Sequence, residues 1–179
     1  MSAQKLCLVL TSILLTYSNN STSSEIVPNL GSNEAYLLLA VHVHDVVPHK
    51  IMLKGDGLLS SESMTDIIPG DQYKLISVAP GKYTFSKIYQ NKLLKDAYWN
   101  IEDQEHTITV KPGVINYGGH LITELGFGDI AHFRMKNRSS LALEYLSNCC
   151  SELLNSYKLD YTGLVSDPYL KFAQEKGSN

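Results

Sequence analysis

The sequence lacks the features that mark nucleic-acid-binding proteins, membrane-surface proteins and several classes of enzyme. Its 15 Lys and Arg residues are outnumbered by 18 Asp and Glu residues, for a formal net charge of −3. It therefore has no basic footprint for nucleic acid and no polybasic run for an anionic membrane. It contains no Gly-x-Ser-x-Gly elbow, no phosphate-binding glycine loop and no His-Glu-x-x-His motif. We predict that the protein is not an enzyme and binds no cofactor.

The apolar run near the N-terminus is too short to span a bilayer as a helix. Residues 6–15 form a mainly apolar run, broken by Thr11 and Ser12, whereas a transmembrane helix needs about 20 predominantly apolar residues. Lys5 precedes the run, and the small residues Thr16 and Ser18 follow it, which is typical of an export signal. We predict a signal peptide over residues 1–18, with a buried strand as the alternative, and a mature chain without a transmembrane segment. The predicted location is periplasmic or secreted, and residues 19–34, which are polar and Ser-rich, are expected to form a flexible leader.

Cysteine is rare, and the sequence has no Cys-x-x-Cys motif. Its three cysteines are Cys7, in the predicted signal, and the adjacent pair Cys149 and Cys150. In an oxidising compartment this pair has three possible states: free thiols, a strained bridge between neighbours, or a disulfide to another chain. Both residues fall on the apolar face of a predicted helix. We therefore predict buried free thiols that pack as small hydrophobic groups.

Residues 35–136 carry short alternating segments separated by turn signals. Gly55-Asp56-Gly57, Pro80-Gly81 and Pro112-Gly113 are turns, and no helical periodicity lies between them. The predicted strands are 35–47, 51–54, 71–78, 82–90, 97–101, 106–110, 114–124 and 130–135. Seven or eight short strands without intervening helices predict an antiparallel sandwich or barrel.

Residues 137–179 change to a helical pattern. In the segment 141–155, pairs of apolar residues recur every four positions, which predicts four turns of amphipathic helix whose apolar face packs on the sheets. Asp167-Pro168 is an N-cap acceptor followed by proline, and it predicts the start of a second helix that Gly177 can end. We therefore predict a C-terminal helical extension over residues 137–179.

Two segments share a Val-x-Pro-Gly turn that leads into a strand containing an aromatic residue. The residues concerned are Pro80, Gly81, Lys82, Tyr83, Pro112, Gly113, Asn116, Tyr117 and Gly119. This pattern, spread over residues 35–154, resembles transthyretin-like or carboxypeptidase-regulatory-like β-sandwich modules and a set of uncharacterised bacterial exported proteins. The resemblance implies a mainly β, antiparallel transthyretin/Ig-like sandwich with C-terminal helices packed on it. It implies no catalytic residues, because the shared motif is structural.

His42 and His44 form the candidate metal site. Side chains two residues apart on a strand point to the same face, so both imidazoles would lie on one face, about 7 Å apart. This spacing can place two ligands on one metal ion. Asp45 and His49 follow closely, and His120 and His132 lie on other predicted strands. A third ligand from one of those would complete a zinc or copper site. The alternative is that the two histidines lie on the polar face of a strand whose opposite face joins the core.

Tyrosine is frequent, with 11 residues against 4 Phe. A tyrosine ring can pack against the core while its hydroxyl reaches solvent, which suits half-buried strands with a solvent-exposed edge. An exposed aromatic patch is the candidate binding surface, for an envelope protein or a carbohydrate. Its members are Tyr83, Tyr89, Tyr98, Trp99 and Tyr117. The sequence thus predicts an exported, non-catalytic β-sandwich protein of the bacterial envelope with a binding or accessory role. The alternatives are an assembly component docked through the C-terminal helices and a His-based metal-binding envelope protein.

Overall fold

The computed structural model describes residues 27–28, 30–57, 60–90, 97–125, 131–164 and 166–177. The predicted signal peptide and the first part of the predicted leader lie outside the described residues. The described part is mainly β, with ten strands and three α-helices. The strands are β1 Ala35–Val43, β2 Lys50–Gly55, β3 Ser61–Met64, β4 Gly70–Val78, β5 Gly81–Tyr89, β6 Tyr98–Asn100, β7 Thr107–Val110, β8 Ile115–Leu125, β9 Ala131–Lys136 and β10 Leu159–Tyr161. The helices are α1 Ser139–Cys149, α2 Ser151–Ser156 and α3 Pro168–Gly177, and a 3-10 turn covers Gln104–His106.

Two of the ten strands, β3 and β10, were not predicted from the sequence. Strand β3 has the sequence SESM, with Met64 as its one apolar residue, and the three residues of β10 lie in the segment predicted to be helical, so neither gave a strand signal. Strand β10 lies within the predicted helical extension and pairs with β8, so the C-terminal segment contributes a strand as well as helices. The predicted start of the last helix is confirmed, because the Leu170 N–H donates to Asp167 Oδ1 at 2.9 Å and Pro168 is its first residue.

The strands form two five-stranded sheets. The first has the order β10-β8-β1-β4, with β9 also paired to β8, and the second has the order β3-β2-β5-β6, with β7 also paired to β5. The expectation of a fully antiparallel arrangement is wrong for the first sheet, where β8 runs parallel to both β1 and β10. Tight hairpins impose antiparallel pairing only on consecutive strands. Strands β1 and β8 are far apart in the chain, which passes through the second sheet between them.

Strand β1 is buried on both faces, which explains its nearly continuous apolar sequence. Its odd-numbered residues, such as Leu37 and Leu39, join one hydrophobic cluster with Leu53 of β2 and Phe85 of β5, so the two sheets share a core. Its even-numbered residues lie on the opposite face, and all of them except His42 belong to a second cluster. The members of that cluster from β1 and the C-terminal segment include Tyr36, Leu38, Ala40, Ala142, Leu146, Leu153, Leu159 and Leu170. The helices therefore cover the face of the first sheet that is turned away from the second.

Both Val-x-Pro-Gly turns carry the chain from one sheet to the other. Pro80-Gly81 connects β4 of the first sheet to β5 of the second, and Pro112-Gly113 connects β7 of the second to β8 of the first. Gly113 has φ of +75°, which favours glycine. The shared motif is thus a crossing turn, in agreement with its interpretation as a fold element.

The adjacent cysteines are joined to each other. Cys149 and Cys150 form a disulfide, so the prediction of buried free thiols is wrong. Cys150 has φ of −147° and ψ of 43°, outside the helical region, and it separates α1 from α2. The single four-turn helix predicted from the apolar pattern is therefore interrupted at the residue where the backbone departs from helix geometry.

Candidate functional site

His42 and His44 lie at the C-terminal end of β1, where their rings contact each other edge to face with centroids 4.7 Å apart. His42 donates from Nδ1 to Asp71 Oδ1 at 2.6 Å, and Arg138 donates from Nη1 to the same oxygen at 2.9 Å. His44 is more exposed, with Nε2 3.7 Å from Glu124 Oε1. Each of the two histidines therefore has a carboxylate as its polar neighbour.

The third ligand that a metal site needs is not supplied by the residues named for it. His132 is exposed on β9 opposite Glu124, and both ring nitrogens of His120 contact tyrosine hydroxyls. Across the described ranges of the chain, no group of three or more His, Cys, Asp or Glu side chains could hold a metal ion. The structure therefore joins His42 to Asp71 and Arg138 rather than to a third ligand.

His120 is the centre of a buried hydrogen-bonded chain that links β8 to β4. Tyr117 Oη lies 2.6 Å from His120 Nδ1, and Tyr73 Oη lies 3.1 Å from His120 Nε2. The Arg138 backbone N–H donates to Tyr117 Oη at 3.1 Å. Because His120 Nδ1 is the acceptor within reach of the buried Tyr117 hydroxyl, we assign the proton of the neutral ring to Nε2, which donates to Tyr73.

Tyr117 and His120 can share one face only because β8 carries a bulge between them. Tyr117 is opposite Leu38 in the register with β1, whereas His120 is opposite Ala40, so β8 holds one extra residue. Gly119 has φ of +112°, and a Cβ there would lie 2.9 Å from the Lys136 carbonyl oxygen. The Gly118-Gly119 pair thus serves the bulge and its close packing.

Burial determines the protonation states of His120, Tyr73 and Tyr117. It lowers the pKa of His120 to about 4, although the negative charge of Asp71 acts in the opposite direction. It raises the pKa of Tyr73 to about 12, with Asp71 adding to the effect, and it also raises the pKa of Tyr117. His120 is therefore neutral near pH 7, and both tyrosines keep their protons.

Sequence reasoning did not identify Asp71, Tyr73 or Arg138 as members of this cluster. Asp71 faces His42 because β4 pairs with β1 in a register that places these two residues opposite each other. Arg138 precedes α1 and reaches the cluster when that helix packs on the sheet. The one local signal was the alternation of Asp71 and Tyr73 along β4, which places both on the side of the sheet that faces the helices.

The predicted aromatic patch is divided between the interior and the surface. Tyr83 and Tyr117 are 3% and 0% exposed, and Tyr83 donates to the Ala79 carbonyl oxygen near the first crossing turn. Trp99 packs against the core between the sheets. These three residues therefore do not form an exposed surface with the other two members, Tyr89 and Tyr98.

Tyr89 and Tyr98 lie side by side on the outward face of the second sheet, with ring centroids 5.4 Å apart. Lys50 is opposite Tyr89 in register, and its Nζ lies 5.5 Å from the centroid of that ring. Lys87 Nζ lies 4.2 Å from the centroid of Tyr98, a cation–π distance. We call Lys50, Lys87, Tyr89 and Tyr98 the tyrosine–lysine patch.

The two lysines of this patch have no ion-pair partner among the residues that the structure describes. Tyr98 is 40% exposed, and Lys50, Lys87 and Tyr89 are half-buried. The patch therefore combines two aromatic rings with two available cations.

A second exposed surface lies in the C-terminal segment. Leu164 is 74% exposed, and Tyr169 and Phe172 of α3 are 53% and 57% exposed. Lys176 Nζ lies 6.0 Å from the Phe172 ring centroid. Tyr169 and Phe172 are three residues apart and share one face of α3, and Leu164 lies in the segment between β10 and this helix. We call these three exposed side chains the C-terminal apolar surface.

Within the part of the chain that the structure describes, no helix has the length and apolar character needed to cross a membrane. Comparison with protein-family models, with curated proteins and with solved structures finds no match to this chain.

Proposed function

We propose that this chain is an exported, non-catalytic binding protein of the bacterial envelope, with its two sheets arranged as a transthyretin-like β-sandwich. The export signal predicted from residues 1–18 supports the location. The hydrophobic cluster shared by the two sheets and the two crossing turns support the sandwich. The observation that carries the binding role is the tyrosine–lysine patch on the outward face of the second sheet.

The cluster around His120 favours a structural rather than a catalytic role for the buried polar groups. His120 is fully buried, and its two ring nitrogens are engaged by Tyr117 and Tyr73. Asp71 accepts from His42 and Arg138, so its charge is already balanced. A general base must reach a proton on the substrate, and these groups instead connect β1, β4, β8 and the start of α1.

The patch has the composition of a recognition surface. Tyrosine rings supply rigid apolar area with a polar tip, and they are enriched among the residues that dominate binding free energy. The neighbouring lysines hold their ammonium groups over the rings, so aromatic area and positive charge act on the same ligand. A partner that matches this surface carries negative charge. It also presents either hydroxyl groups or apolar area to the two rings.

Binding of the purified protein to isolated envelope fragments tests the proposal. We expect the double variant Tyr89→Ala/Tyr98→Ala to bind at least about tenfold more weakly than the unaltered protein, because two interface tyrosines are removed. Co-sedimentation over a range of envelope concentrations measures the apparent Kd. Equal thermal unfolding of the two proteins excludes misfolding as the cause. Unchanged binding by the folded variant would contradict a role for the patch.

The C-terminal apolar surface favours a second candidate function, that of an assembly component docked through its helices. Tyr169→Ala/Phe172→Ala is the matched variant, since it also removes two exposed aromatic rings. Under the first proposal this variant binds envelope fragments as the unaltered protein does. Loss of binding in this variant, with binding retained in Tyr89→Ala/Tyr98→Ala, would instead support docking through the helices.

A further inference from the structure

We infer that the ligand of the tyrosine–lysine patch is an acidic polysaccharide, that is, a chain of sugars carrying carboxylate or sulfate groups. This inference rests on the binding role proposed above and adds the chemical class of the ligand. It follows from three properties of the outward face of the second sheet in the described residues: its charge, its uncharged hydrogen-bonding groups and its single aliphatic side chain.

The first property is a positive face on a chain of negative net charge. The outward positions of β2 and β5 carry the lysines Lys50, Lys54, Lys82 and Lys87, and only Lys54 has a carboxylate partner, Glu102 at 2.9 Å, among the described residues. The outward positions of the five described strands of this sheet include no Asp or Glu. Because the chain as a whole has a net charge of −3, this face concentrates positive potential and attracts polyanions.

The second property is a set of uncharged hydrogen-bonding groups between the lysines. Thr84 and Thr107 are opposite each other in register, with their Oγ1 atoms 2.8 Å apart, and Thr109 and Asn100 are exposed beside them. The Thr107 hydroxyl donates to the Asp103 carbonyl oxygen at 3.1 Å, and Asn100 Oδ1 accepts from the Glu102 N–H at 3.2 Å. The remaining lone pairs of the threonine hydroxyls and the Nδ2 donor of Asn100 suit a ligand rich in hydroxyl groups. The flat rings of Tyr89 and Tyr98 offer apolar area to the C–H groups of a sugar ring.

The third property argues against a membrane or a protein as the ligand. Insertion into a bilayer surface needs large apolar side chains, and protein interfaces have an apolar centre. The outward positions of the described strands in this sheet include one aliphatic side chain, the half-buried Met52. The cations are all lysines, which act as point charges, whereas arginine favours bidentate recognition of single carboxylate or phosphate groups. Several separate point charges suit the repeated charges of a polymer.

The inference is tested with four probes: alginate, which is a polyuronate; dextran, which is an uncharged polysaccharide; poly-glutamate; and vesicles of anionic phospholipid. We expect the protein to bind alginate more tightly than the other three and to lose affinity as the salt concentration rises. Lys50→Gln/Lys87→Gln should bind alginate at least about tenfold more weakly. Lys158→Gln/Lys171→Gln removes two exposed charges outside the patch and should change the affinity less than twofold.

Other outcomes overturn the inference in distinguishable ways. If dextran binds as tightly as alginate, the charged groups of the polysaccharide are not recognised. If poly-glutamate or the vesicles bind as tightly as alginate, the sugar rings are not recognised. Equal loss of alginate affinity in both lysine variants would place the binding outside the patch. If no probe binds, while binding to envelope fragments still depends on Tyr89 and Tyr98, the ligand class is wrong and the proposed function stands.

Discussion

Replacement of Asn116 by alanine should lower the free energy of unfolding by about 3 kcal/mol, because it leaves buried backbone groups without partners. Asn116 is fully buried beside the second crossing turn. Its Oδ1 accepts from the Lys111 N–H at 2.8 Å, and its Nδ2 donates to the carbonyl oxygens of Lys111 at 2.8 Å and Tyr36 at 2.9 Å. One side chain therefore ties the turn to β1.

Urea unfolding of Asn116→Ala at neutral pH measures this loss. Asn116→Asp is the informative second variant, since it keeps the acceptor but places a charge beside two carbonyl oxygens. We expect Asn116→Asp to be at least as unstable as Asn116→Ala at pH 7 and to recover part of its stability when the carboxyl group is protonated at lower pH. Asn155→Ala, at an exposed position of α2, should change stability by less than about 0.5 kcal/mol. A loss below about 1 kcal/mol in Asn116→Ala would contradict the role assigned to this side chain.

Acidification from pH 6.5 to pH 4 should reduce the free energy of unfolding by about 3 kcal/mol through His120 alone. Burial lowers the pKa of His120 to about 4 in the folded protein, against 6.5 for an unperturbed imidazole. Between these values the unfolded chain binds the proton more readily than the folded chain. The stabilisation is therefore fully present above pH 6.5 and is lost progressively as the pH falls to about 4.

The groups around His120 define the comparison that isolates its effect. Tyr73 and Asp71 face it from β4 and Tyr117 from β8, and Arg138 and His42 lie beyond Asp71. His120→Gln keeps one acceptor and one donor without a titratable ring, so most of the slope of stability against pH between 4 and 6.5 should disappear.

His132→Gln is the matched control, since it removes an exposed histidine of β9. It should keep the slope of the unaltered protein. Urea unfolding at half-unit steps of pH gives both slopes, and a slope in His120→Gln equal to that of the unaltered protein would contradict the assignment to His120.

The candidate site was only partly predictable from the sequence. The spacing of His42 and His44 predicted two imidazoles on one face about 7 Å apart, because residues two apart on a strand share a face. The structure brings the rings closer, with centroids 4.7 Å apart and in edge-to-face contact. It did not indicate Asp71, which is 29 residues away and is brought to His42 by strand pairing. His120 was named as a metal ligand, yet its environment is set by Tyr73 and Tyr117. A histidine in a strand does not reveal whether its neighbours are hydroxyl groups or another metal ligand.

The aromatic residues illustrate the same limit. The five residues of the predicted patch have similar apolar and hydrogen-bonding groups, and all of them lie in predicted strands. They are Tyr83, Tyr89, Tyr98, Trp99 and Tyr117. Their exposure depends on which face of each strand is turned to the core and on whether another layer covers it. For Tyr117 the register with β1 decides the face, since Tyr117 lies opposite Leu38, and a shift of one residue exchanges the two faces of a strand.

Local features of the sequence were sufficient for eight of the ten strands, the crossing turns and the start of the last helix, since alternation, Pro-Gly turns and helix caps act over a few neighbouring residues. The tertiary structure alone decided the parallel pairing of β1 with β8, the division of the tyrosines between core and surface, and the helix break at Cys150. Each of these depends on contacts or covalent bonding that the local pattern leaves open. Pairings between distant segments are determined by how all the segments bury their apolar faces together.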